Sequence, residues 1–85
     1  MYVVGATLLS DFWHAHPEAE GELRALHALL SETPADALEA RLGGAAAFDR
    51  AGAEVSLRTA RVRIELSAAA GVARYAGVES LGGTR

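Results

Sequence analysis

Arginines carry the strongest potential for chemistry in this 85-residue chain. Arg58, Arg61 and Arg63 stand in a stretch where apolar and polar residues alternate, and Arg74 follows in the next β-prone run. Ala53, Val55 and Leu57 alternate with Glu54, Ser56 and Arg58, while Val62, Ile64 and Leu66 alternate with Arg61, Arg63 and Glu65. That period predicts a hairpin with one buried face and the three arginines outward, joined by Arg74 if the third strand pairs beside it. Planar, permanently charged guanidinium groups on one sheet surface suit phosphate and the charge of a pentacoordinate phosphoryl transition state. The same spacing fits a solvated strand face whose arginines pair with Glu54 and Glu65 across the hairpin.

Other candidates are weaker. His14 and His16 form an H-x-H pair with no third ligand in view, and side chains two apart diverge on a helix, so no metal site is expected. His27 falls beside the apolar face of a predicted helix and reads as a packed, hydrogen-bonded core-edge histidine. Gly43-Gly44 and Ala45-Ala46-Ala47 lack a phosphate-loop pattern, and no serine or carboxylate pair stands in a catalytic arrangement. With no cysteine, disulfides, thiolate ligands and thiol nucleophiles are excluded together. No cofactor is implied.

The arginines need a scaffold, and the chain spells one out. Tyr2 to Val4 predicts a short strand, followed by a helix over about residues 7–15 whose apolar face is Leu8, Leu9, Phe12 and Trp13. Pro17 ends that helix and presets a second over about 17–30, with Ala19, Leu23, Leu26 and Leu30 at helical spacing. Glu18, Glu20 and Glu22 lie near its N-terminus, where the macrodipole favours anions. Thr33-Pro34-Ala35-Asp36 predicts a third helix start with Thr33 as the capping residue, and Gly43-Gly44 ends it. After the hairpin, Ser67 to Gly71 predicts a small-residue turn and Val72 to Ala76 another strand. The fold class is α+β: an N-terminal strand and three short helices packed on one face of a small antiparallel sheet. Phe12, Trp13, Leu23, Leu26, Val62 and Ile64 are expected to share its core.

The length allows one domain, assigned to residues 1–80, with 81–85 as a frayed Gly-rich tail. No apolar run approaches the roughly 20 residues that span a bilayer. Met1 to Gly5 has no basic segment of a signal peptide, so no membrane association and a cytoplasmic location are expected. The net charge of −3 argues against wholesale electrostatic binding to nucleic acid, yet it conceals an asymmetry. Arg24 and Arg41 are outnumbered by carboxylates in residues 1–42, whereas arginines outnumber carboxylates in residues 43–85.

The opening Leu9-x-x-Phe12-Trp13-x-x-His16-Pro17-x-Ala19-x-x-x-Leu23-Arg24-Ala25 resembles that of HigB-type toxins of bacterial toxin-antitoxin modules, in the RelE/ParE-like superfamily. The likeness continues through Thr33-Pro34-Ala35-Asp36, Arg63-Ile64 and Arg74-Tyr75-Ala76-Gly77, and so covers nearly the whole chain. It departs where the family continues Thr-His-x-x-Tyr-Asp, since the positions here read Val78-Glu79-Ser80-Leu81-Gly82. The hairpin is also shorter and lacks the family's Asn-Lys turn, leaving Arg61 as the nearest basic equivalent. The resemblance implies a RelE-like fold and a relationship to ribosome-dependent mRNA interferases, which help the RNA 2′-hydroxyl attack its own phosphate. The implied partners are a helix-turn-helix antitoxin and ribosome-bound mRNA. Arg63, Arg74 and Glu79 become the expected catalytic residues, with Arg58 and Arg61 binding RNA and Glu79 the general base in place of the family histidine. Two further readings fit the same residues: a catalytically silent relative that binds an antitoxin, and an unrelated small α+β interaction domain.

Overall fold

A computed structural model describes residues 1–67 and 69–81. Strand β1 (Tyr2–Val4) leads into helix α1 (Ala6–Ala15), and a 3₁₀ turn at Pro17–Ala19 feeds α2 (Glu20–Glu32). A second 3₁₀ turn, Ala35–Ala37, opens the short α3 (Leu38–Leu42), and a third, Gly43–Ala45, returns the chain to the sheet. Four strands then follow: β2 (Ala46–Phe48), β3 (Gly52–Ser56), β4 (Ala60–Ser67) and β5 (Val72–Ser80). The protein is a small α+β domain with three helices and a five-stranded sheet of order β1-β5-β4-β3-β2.

The sheet is mixed, not antiparallel throughout as the sequence suggests. β2 to β5 form an antiparallel meander, but β1 pairs parallel to β5, with Tyr2 opposite Val72 and Val4 opposite Arg74. The helical stretch carries the chain from β1 to the far edge, and four alternating strands bring it back running in β1's own direction. β2 has no clear signal in the sequence, because Ala46-Ala47-Phe48 is too short to show a period. β5 extends four residues past the expected end at Ala76.

Heptad-like spacing on α2 buries Leu23, Leu26 and Leu30 against Val55, Val62 and Ile64 from the sheet's inner face. Phe12 and Trp13 are not in this core as expected: they are half-buried and pack against its margin. Leu9 is α1's only buried residue, so the two aromatics lie at the layer's edge. Their outer surfaces are covered by polar neighbours, Phe12 by the stacked His16 ring at 4.5 Å and Trp13 by the Arg24 guanidinium 4.9 Å from its centroid.

Thr33 corrects another expectation. It does not cap α3; fully buried, its hydroxyl donates to the Leu29 carbonyl at 2.6 Å and so closes the end of α2. Pro34 is extended there, and the Ala37 N–H bonds to its carbonyl instead. Gly43, at φ 57°, does terminate α3 as its spacing suggests. The loop ahead of β5 is described apart from residue 68, and the predicted tail lies outside the described residues except for Leu81, whose N–H donates to Thr59 O at 3.0 Å.

Candidate functional site

The outer sheet face is set by pairing register. Glu54 lies opposite Arg63, Arg61 opposite Glu79, and Glu65 opposite Arg74. Strict alternation along β5 would place Arg74 and Glu79, five residues apart, on opposite faces. A β-bulge prevents this: Ile64 pairs with Tyr75 while the preceding Arg63 pairs with Gly77, leaving Ala76 as an extra residue. The buried Tyr75 stays inward, and Arg74 and Glu79 both point out. The Tyr75 hydroxyl anchors this point from below, 2.9 Å from His27 Nδ1 on α2, and burial pushes its ionisation well above the usual phenol range. His27 is thus the hydrogen-bonded core-edge histidine that its position predicts.

Arg61, Arg63 and Arg74 are brought together on this face, and each meets a carboxylate. Arg74 pairs with Glu65. Arg61 Nη1 lies 3.6 Å from Glu79, while its Nε lies 3.9 Å from Glu54 and makes no hydrogen bond. Arg63 holds Asp49 with two bonds of 2.9 and 3.0 Å. Between Arg61, Arg63, Glu54 and Glu79, the missing side chain of Gly77 leaves a shallow hollow of about 200 Å³. Its chemistry is two guanidiniums and two carboxylates around an open floor.

Arg58 is not on this face. β3 ends at Ser56, so Arg58 and Thr59 form the two-residue hairpin tip, closed by Leu57 N–H to Ala60 O at 2.8 Å. The tip is held from the helix layer by Glu22, whose carboxylate accepts from Arg58 N at 3.0 Å, Thr59 N at 2.9 Å and Thr59 Oγ1 at 2.6 Å. These bonds, led by the Thr59 hydroxyl, hold the Glu22 carboxyl below its ordinary range. Glu22 therefore serves a distant turn, and the helix dipole alone does not account for it.

Sequence reasoning missed Asp49. Its Oδ1 accepts the Ala51 and Gly52 N–H groups, both at 2.9 Å, building the β2–β3 turn, and the same carboxylate faces Arg63. The Arg63 guanidinium, followed by those two backbone donors, lowers the Asp49 carboxyl to about 2. Asp49-Arg50-Ala51-Gly52, an Asp with a Gly three residues on, is a turn signal, and recognising it would have placed the carboxylate. His14 and His16 join no group of potential metal ligands among the described residues; His16 lies on Phe12 and 3.6 Å from Glu18. No helix among them is long and apolar enough to cross a membrane.

In comparisons with known proteins, no family model, no curated protein and no solved structure matches this chain.

Proposed function

We propose that this protein is the toxin of a type II toxin-antitoxin module, a HigB-like member of the RelE superfamily acting in the cytoplasm on ribosome-bound mRNA. The observation that carries this reading is the bulge at Ala76, which turns Arg74 and Glu79 to the same open face as Arg61 and Arg63, with Arg61, Arg63 and Glu79 lining the Gly77 hollow and Arg74 outside it. The strand-helices-meander order is the one that the resemblance leads one to expect. In this reading Arg63 and Arg74 hold the scissile phosphate and stabilise its developing charge. The Glu79 carboxylate takes the proton of the RNA 2′-hydroxyl, whose oxygen attacks phosphorus. The 5′-oxygen departs and takes a proton from solvent water, leaving a cyclic phosphate and a 5′-hydroxyl. Arg61, beside Glu79, orients the carboxylate and binds RNA; Arg58 at the hairpin tip reaches a more distant phosphate.

A second reading, a silent module that only binds an antitoxin, is favoured by the carboxylate partners of Arg61, Arg63 and Arg74 and by the chain's net charge of −3. Expression in bacteria separates the two. An interferase arrests growth, and the arrest disappears in Arg63→Ala and Glu79→Ala. No arrest and no ribosome binding, together with co-purification of a helix-turn-helix protein from the adjacent gene, supports the silent module. If that neighbour elutes separately at micromolar concentration, the module reading fails in either form.

A further inference from the structure

The Asp49 carboxylate meets Arg63 much as a phosphate would. Nη1 donates to one carboxylate oxygen and Nη2 to the other, at 2.9 and 3.0 Å, in a parallel two-bond fork. Asp49 does not belong to the sheet face. It is delivered by the β2–β3 turn, whose Ala51 and Gly52 N–H groups fix Oδ1 independently of Arg63. The anion is thus preorganised against the guanidinium, yet both side chains remain open, at 33% exposure for Arg63 and 54% for Asp49. A competing anion can reach this pair from solvent.

Resting on the reading of this face as an RNA-binding surface, we propose that Asp49 is a built-in competitor occupying the phosphate seat of Arg63, and that an RNA phosphodiester binds there by displacing it. Exposed ion pairs are weak, so the competitor lowers RNA affinity a few-fold without abolishing it. It also changes the salt response. A phosphate seated on a bare arginine releases a condensed counterion, whereas displacement of Asp49 leaves a carboxylate that gathers a cation, and the two effects cancel.

The test measures fluorescence anisotropy of a labelled single-stranded RNA oligonucleotide over a range of salt. The proteins are the parent, Asp49→Asn, Arg63→Ala, the double variant, and Asp36→Asn as a control of equal charge change on an exposed remote turn. Asparagine keeps the Oδ1 acceptor, so the turn is retained. Asp49→Asn is expected to bind about two- to fivefold tighter, the range that loss of an exposed competing pair allows. Its plot of log affinity against log salt should steepen by about 0.7, the value for one added phosphate contact on a single strand. The gain should vanish in the double variant. If Arg63→Ala weakens binding but Asp49→Asn matches the parent, the face binds RNA and the competitor is wrong. An equal gain from Asp36→Asn reduces the effect to net charge and also overturns it. If neither the parent nor Asp49→Asn binds RNA, the RNA reading of the face falls and the competitor with it.

Discussion

Asp49 joins a turn to a strand through one carboxylate, and its titration reports on both. Its folded value of about 2 lies below the ordinary 3.8. The stabilisation from the charged form is therefore complete above pH 3.8 and is lost as pH falls through about 2. Carboxyl NMR should find the midpoint near the lower value. In Arg63→Ala it should rise without reaching the ordinary value, because the Ala51 and Gly52 donors remain. A midpoint unmoved by that substitution would mean that the guanidinium is not the principal cause. Tyr75 offers a second residue-level test. Tyr75→Phe removes the bond to His27 and keeps the ring, so urea unfolding should show a loss of about 1 kcal/mol, the usual net worth of such a bond.

At the level of elements, the hairpin is held from outside itself. Glu22→Ala strips acceptors from the Arg58 and Thr59 N–H groups and the Thr59 hydroxyl, and should destabilise the domain by about 1–2 kcal/mol while leaving α2 helical by circular dichroism. Gly52 is the tighter constraint. A Cβ there would lie 1.8 Å from the Ile64 carbonyl oxygen, so Gly52→Ala must part β3 from β4 and should cost about 3 kcal/mol or more. Unfolding at the parent's urea concentration would contradict that close approach. The alternation of Val55, Val62 and Ile64 was readable because one face is buried and the other is wet. So were α2's leucines, and so were the roles of Gly43 and His27. The parallel placement of β1, the contact between Glu22 and the hairpin tip, and the pairing of Asp49 with Arg63 join distant segments and leave no local period. The bulge was hidden for a related reason: Arg74-Tyr75-Ala76-Gly77 looks like regular strand until β4 fixes its partners. Within the candidate site, the outward placement of Arg61 and Arg63 was legible in the alternation of β4, but the carboxylate partners of the arginines were legible only in part.

For the whole molecule, stability should follow burial more than side-chain size. Leu30 is fully buried between the layers, whereas Trp13 keeps one face toward Arg24. Leu30→Ala should cost about 2–5 kcal/mol and Trp13→Ala roughly half as much, reversing the ranking that residue size suggests. Urea unfolding of the two variants decides it, and a larger loss for Trp13→Ala would place the indole in the core after all. The sheet's order also bears on how the molecule is born. Tyr2 finds its strand partner at Val72, so β1 emerges early in synthesis and waits until almost all of the described chain has followed. A nascent chain halted before β5 would carry helices and a partial meander with unpaired edges at both β1 and β4, a form open to chaperones and proteases. Arg74 and Glu79 arrive on that same last strand, so a nascent chain cannot assemble the arginine face until the strand that closes the sheet is free of the ribosome.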